Sequence, residues 1–464
     1  IQEDLIGGGH ALAREAGYGV RINYAYADKY LAEFVGRYDA SVYLPSETRW
    51  GFFPGVSLGW RISEESFFKD RFNSFVDNLK IRTSYGRLGN DAGMGYTYFS
   101  TAHLSQNNEV MIGNMLQKYL NVGGVPNYGL RWPVKDDWNL GFETMLWKGL
   151  LGIEFDIFYS LWSHQYSSVA DFPPSMGGFY PSRINFGKTE NRGLELMLSH
   201  KHKIGDFNYN VRSNLTWARN KVLKLSQDPY KTKYTSSIGK PTGQIWGFIA
   251  EGLFQSQEEL DESAVFGPTK VGDIKLKDIN GDGRITFEQD QVPIGRSSIP
   301  EMIFGIDLGG QYKNFDFNMF LQGVSLFDVE VAGLYTDRGF KDHTFYTRPF
   351  FAGGNSPREL IENSWTPENP NAKYPRLGIE LRSNGSADSS LYVQDGTYLR
   401  LKSAQIGYNI PKNIVNNMGA QNLRFYISGT NLFTLSGLDF GLDPEMPSVN
   451  QGYYPPQRIY EFGL

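Results

Sequence analysis

The chain has 464 residues, a formal net charge of −5 and no cysteine, and it is rich in tyrosine, phenylalanine and glycine. The near-neutral balance argues against a nucleic-acid partner, which requires a clustered basic surface. The lack of cysteine removes disulfides, thiolate zinc sites and thiol catalysis together. No apolar run reaches the roughly 18 residues of a membrane-spanning helix. The length suits two or three ordinary domains or a single large barrel. Ile1 leads into a polar, glycine-containing loop, so a longer protein with further residues upstream is expected.

About fourteen strands are predicted, near 17–27, 30–43, 49–62, 77–88, 137–148, 151–164, 186–202, 205–220, 243–253, 302–313, 315–327, 396–410, 421–433 and 457–464. The basis is alternation, because successive side chains of a strand point to opposite faces. Leu151, Ile153, Phe155, Ile157, Tyr159 and Leu161 oppose Gly152, Glu154, Asp156 and Ser160. Phe207, Tyr209, Val211, Leu215 and Trp217 oppose Asn208, Asn210, Arg212, Asn214 and Thr216. Leu423, Phe425 and Ile427 oppose Arg424, Tyr426 and Ser428, and Tyr460, Phe462 and Leu464 continue the pattern to the end.

A soluble sandwich also alternates, but its strands average only about 5–6 residues. These are long enough for the roughly 9–11 residues of a tilted membrane-spanning strand. Their polar faces suit a water-filled lumen. Aromatic residues recur near strand ends, among them Tyr30, Trp50, Trp60, Trp138, Trp147 and Trp162, as at a membrane–water interface. The predicted class is all-β, a transmembrane antiparallel β-barrel. Connections such as Ala27-Asp28-Lys29, Lys203-Ile204-Gly205 and Lys313-Asn314 are short, whereas those near 89–136, 165–185, 221–242, 254–301 and 328–395 are long. Outer-membrane barrels keep short turns in the periplasm and long loops outside, so the long segments are expected to be extracellular.

Several segments together carry a resemblance. They are Arg49-Trp50-Gly51-Phe52-Phe53-Pro54, Leu79-Lys80-Ile81-Arg82-Thr83-Ser84-Tyr85-Gly86, and Asn185 and Gly187 with Asn191-Arg192-Gly193-Leu194-Glu195. Further along come Asp278-Ile279-Asn280-Gly281-Asp282-Gly283, Ser364-Trp365-Thr366-Pro367, Tyr398-Leu399-Arg400-Leu401-Lys402, Gly429-Thr430-Asn431-Leu432-Phe433, and Gly441-Leu442-Asp443-Pro444-Glu445. In this order the chain resembles the SusC-family (SusC/RagA-like) TonB-dependent transporters of the Bacteroidota. The resemblance implies a 22-stranded barrel whose plug, first strands and TonB-contacting segment lie before Ile1. It further implies import of oligosaccharides or peptides beneath a SusD-like surface lipoprotein, in a protein embedded in outer-membrane lipid. A passive substrate-specific porin and a TonB-dependent siderophore or vitamin receptor are the alternative readings.

Asp278, Asn280 and Asp282 stand at positions one, three and five of an EF-hand-like loop, with Gly283, the Arg284 carbonyl and Thr286 following. Calcium takes several oxygens at this spacing. Gln289 occupies the place of the usual last carboxylate, so Asp290 is the candidate to complete the set. The competing reading is a metal-free turn built from Asx and glycine. No cofactor is required, and a bound calcium would be structural. For substrate, loop residues Tyr128, Trp132, Tyr166, Phe172, Tyr180, Arg183 and Tyr335 are candidates, since binding sites join aromatic surface to a few polar groups. Packing among loops, or contact with a lid protein, is the competing role of each, and for Trp365, another candidate ring, a structural role is favoured. The histidines lack metalloprotease spacing and no phosphate loop is present, so no enzymatic activity is expected.

Overall fold

The computed structural model describes residues 14–99, 102–122, 125–170, 180–181, 183–228, 231–331, 356–378, 388–417, 419–445 and 456–464. Thirteen strands form one antiparallel sheet: β1 (Glu15–Tyr26), β2 (Tyr30–Ser41), β3 (Trp50–Arg61), β4 (Val76–Gly89), β5 (Val134–Leu146), β6 (Leu151–Ser168) and β7 (Arg183–Ile204), followed by β8 (Phe207–Lys224), β9 (Met302–Tyr312), β10 (Phe315–Ser325), β11 (Tyr398–Asn409), β12 (Arg424–Ser436) and β13 (Ile459–Gly463). Every strand pairs with its neighbours in chain order, the topology of an up-and-down barrel wall. Among the described residues β1 and β13 each pair on one side only.

The connections sort by end. On one side stand tight hairpins, where Ala27, Asp28, Trp147, Lys148 and Lys313 take positive φ values. Such residues close primed turns whose twist matches the strands. The same side carries short helices at Ser66–Phe72 and Lys412–Asn417. The other side carries every long excursion, at 90–133, 169–182, 225–301, 326–397 and 437–458.

One predicted strand moves. Residues 243–253 do not join the sheet, which therefore has thirteen strands rather than fourteen. Gln244–Gly247 pairs with Val292–Ser297, and Ala250–Leu253 pairs with Ile274–Leu276, all within one excursion between β8 and β9. The reason is burial: Ile245, Phe248 and Phe254 sink into a loop core instead of facing lipid. The correction also repairs the orientation, since a strand at 243–253 would have put two long loops at opposite ends. The excursion at 90–133 likewise contains a hairpin, Ala102–Ile112 with Met115–Val122.

Register carries the alternation across the whole sheet. Ile22 lies opposite Phe34, Phe34 opposite Val56, Leu140 opposite Ile157, Leu196 opposite Leu215, and Ile406 opposite Ile427. Along this face large apolar residues including Ile22, Leu58, Leu140, Ile157 and Ile406 are exposed on strand after strand. A continuous apolar surface of that size requires a partner medium, and a lipid band provides it. No helix among the described residues is long and apolar enough to cross a membrane.

Buried apolar residues gather outside the wall. Phe248, Ile274, Leu276, Val329, Leu360, Tyr392 and Leu438 belong to one core cluster built from three different long loops. A smaller cluster of Leu44, Met94, Tyr98 and Leu130 sits at the rim between β2 and β6.

Leu196 tests the facing. Leu196→Arg is expected to destabilise the folded barrel by about 2–4 kcal/mol, as for a cation at the bilayer midplane, whereas Asn210→Arg on the lumenal face stays within about 0.5 kcal/mol. Urea titration of the lipid-reconstituted protein, followed by heat-modifiable gel mobility, measures both, and equal costs would reverse the assignment of faces.

Candidate functional site

The lumenal face is charged and paired. Arg21 reaches Glu33 (Nε–Oε2 2.8 Å), Lys80 reaches Glu143 (3.0 Å), and Arg212 stands opposite Asp307. Two ion pairs cross a whole intervening strand. Arg82 on β4 pairs with Asp156 on β6 (Nε–Oδ1 3.2 Å) over Gly141 of β5. Arg424 on β12 pairs with Asp316 on β10 (Nε–Oδ2 3.0 Å) over Gly407 of β11. A Cβ at Gly141 would strike the Asp156 carboxylate, and one at Gly407 would strike the Arg424 guanidinium. Glycine is needed at both points because the bridging side chains lie flat on the strand between them. Arg82, Asp156, Asn139, Ser84 and Glu195 border a polar concavity of about 670 Å³ on the wall.

At the external rim, two of the short motifs meet. Arg400 is 1% exposed and binds Asp443 (2.7 Å), Glu445 (2.8 Å) and Thr434 Oγ1 (2.8 Å). The Tyr398 hydroxyl (3.1 Å) and Lys402 (2.7 Å) converge on the same Glu445. Residues of β11 thus hold the excursion between β12 and β13 against the wall. Sequence reasoning noted both segments but not their contact; their opposite charges were the available signal. Asp439 extends the tie by accepting from Lys373 (2.6 Å), the Tyr374 hydroxyl (3.0 Å) and Gln394 (2.9 Å). Burial, and then the Asp439 charge, push the Tyr374 hydroxyl well above the ordinary phenol range.

The Asp278 loop is a closed hydrogen-bond cage. Asp278 accepts from the Gly281 (2.6 Å) and Gly283 (2.8 Å) amides, Asn280 from the Asp282 amide (3.1 Å), and Asp282 from the Arg284 amide (2.9 Å). Gly281 and Gly283 take the left-handed φ values of 75° and 82° that the turn demands. Asp290 is fully buried and accepts from the Ile279 (3.0 Å) and Thr286 (2.8 Å) amides, closing the loop. The Gly283 amide, the largest influence, holds the Asp278 carboxyl below its usual range. Among the described residues no group of three His, Cys, Asp or Glu side chains gathers as a metal site.

The aromatic candidates divide. Trp132 donates to the Arg49 carbonyl (2.9 Å) and meets Phe53 edge-on at 5.2 Å. Tyr166 donates to the Met94 carbonyl (3.1 Å) and lies under the Arg183 guanidinium at 5.7 Å, so both rings pack at the rim. Tyr128 is 67% exposed, and Tyr180 is half-buried. Phe172 and Tyr335 lie outside the described residues. Trp365 covers Gly272 and donates to Gln255 (3.0 Å), a packing role. Asn185, noted only as part of a motif, exchanges two hydrogen bonds of 2.9 Å with the Arg131 backbone and reaches the His164 carbonyl at 2.8 Å.

A wall of up-and-down strands with a lipid face, a charged lumenal face and packed external loops defines an outer-membrane β-barrel. The family model "TonB dependent receptor-like, beta-barrel" matches residues 13–432, and the chain belongs to that family. It is thereby an outer-membrane chain that crosses by strands, in a family of receptors and transporters rather than enzymes. TonB-dependent receptor P26 of Formosa agariphila is 30% identical over 471 residues, covering 96% of this chain and 45% of that protein. TonB-dependent receptor SusC of Bacteroides thetaiotaomicron is 25% identical over 459 residues, covering 96% and 43%. A solved structure of the RagAB peptide transporter shares the fold with a TM-score of 0.73 at 19% identity, covering 96% and 47%. The chain therefore spans about half the length of the relatives it matches.

Arg400→Met leaves Asp443 without its cation and Glu445 with Lys402 alone. Because both keep some solvent contact, the expected loss is near the lower end of the roughly 3–5 kcal/mol seen when a buried pair is broken. Limited proteolysis should then cut within 437–445 at least tenfold faster, and an unchanged cleavage rate would remove the anchoring role.

Proposed function

We propose that this chain forms the wall and external loops of an active importer of oligosaccharides or peptides. It works beneath a SusD-like lipoprotein and is driven by TonB acting on residues outside the chain. The observation that carries this reading is a paired, polar lumenal wall joined to an external loop layer with a core of its own, in a chain matched to the family along most of its length. Similarity to the peptide transporter RagAB favours peptides, and similarity to SusC favours the same two-part design. Tyr128, Tyr180 and Arg183 supply aromatic and cationic groups at the external mouth. Trp132 and Tyr166 shape its floor, and Phe172 and Tyr335 are included on sequence alone.

Extraction of the full-length protein from outer membranes in mild detergent, with mass spectrometry of everything that co-purifies, tests the proposal. A stoichiometric SusD-like lipoprotein with retained oligosaccharide or peptide is the expected result. A barrel recovered alone, ligand-free and without a plug on the intact chain would leave a passive pore instead.

The Asp278–Asp290 loop is proposed to take one structural calcium, through Asp278, Asn280, Asp282, the Arg284 carbonyl, Thr286 and Asp290. The carboxylate and amide oxygens that cap backbone amides there keep further lone pairs for a cation. Calcium should raise the melting temperature of the full-length protein relative to a chelator, and Asp282→Ala should abolish the increment. A melting temperature indifferent to calcium would leave the loop as a metal-free turn.

A further inference from the structure

The outward face of the wall carries a cleft of about 410 Å³ between β3 and β6 at the external rim. Its side is fixed by register. Trp50 stacks on the outward Tyr38 at 4.7 Å, and Arg87 and the outward Tyr85 both donate to Asp136 (2.7 Å each). Its height follows from strand length. Asp136 and Trp50 stand about ten residues from the periplasmic ends of β5 and β3, the distance a tilted strand needs to cross the hydrocarbon. The cleft therefore opens where the headgroups of the outer leaflet lie.

Its lining combines two chemistries. Trp50 and Phe52 are 40% and 55% exposed and form an apolar wall on the membrane side. On the water side, Arg87, Arg131 and His164 line the cleft together with Asp136, and Lys188 stands just outside the lining, across the β6–β7 pair from His164. Asp136 is committed to Arg87. Arg131 and Lys188 have no acidic partner among the described residues. Arg131 is also held in place, because Asn185 clamps its amide and carbonyl and ties them to the carbonyl of His164. Uncommitted cations beside exposed aromatic rings match an anion with an apolar tail better than a free inorganic anion, which has no use for the rings.

We propose that this cleft binds the phosphate-bearing headgroup of an outer-leaflet lipid, with Arg131 at the phosphate, Lys188 adding its charge from beside the cleft, and Trp50 and Phe52 against the first carbons of the acyl chains. The inference rests on the orientation of the wall and not on the import reading, so either can fail without the other.

Native mass spectrometry of the full-length protein in detergent, titrated with lipid A, provides the test. The Arg131→Ala/Lys188→Ala double variant should retain lipid A at least tenfold more weakly than the parent. Arg131→Lys/Lys188→Arg should retain it within about twofold, and lipid A stripped of phosphate should bind both poorly. Arg131→Gln/Lys188→Gln replaces the alanine pair if that protein does not fold, as judged by heat-modifiable mobility. Equal retention by parent and uncharged variant would overturn the proposal, as would displacement of lipid A by an equal concentration of inorganic phosphate.

Discussion

Everything in this molecule follows from one constraint: inside hydrocarbon, each backbone amide and carbonyl must find its partner within the protein. Long antiparallel strands, their register shifted only at a few bulges, meet that demand on both sides from β2 to β12. Once they do, the period of two divides every strand between lipid and lumen, and each position has only one acceptable chemistry. Leu194, Leu196 and Leu198 alternate with Glu195 and Met197 for that reason, and Arg192 marks the level at which the outward face becomes wet again.

The lumenal face faces a second demand. Charges in a pore wall attract counter-charges, and unpaired ones would bind any passing ion. The wall neutralises its cations locally, using Glu33, Glu143, Asp156 and Asp316. The glycines at 141 and 407 let two of these pairs span three strands, so that neighbouring hairpins are locked to each other by side chains as well as by ladders. Such bridges lie flat, which also keeps the lumen open.

The alternation made the wall legible from residues alone, because a lipid-facing strand has no way to hide its pattern. The segment 243–253 misled because Ile245, Phe248 and Phe254 are as apolar as any lipid-facing residue, and periodicity does not distinguish lipid from a loop core. The external site was harder to read. Arg400 and Glu445 are 45 residues apart, and nothing local announces that they touch. Trp132 and Tyr166 looked like ligand-binding rings because exposure is a tertiary property; their hydroxyl and indole groups turn out to cap backbone carbonyls at the rim.

The external loops then differ from the usual image of mobile connections. A loop core of Phe248, Ile274, Val329, Leu360, Tyr392 and Leu438 draws three excursions into one body, since none of them buries enough apolar surface alone. That body is fastened to the wall by Val324 and Tyr398, strand residues that belong to the same core, and by Arg400 with Asp443 and Glu445, and within itself by Asp439. The buried position of Arg400 keeps those bonds strong in a place that water would otherwise weaken, so the external layer and the strands that carry it behave as one piece.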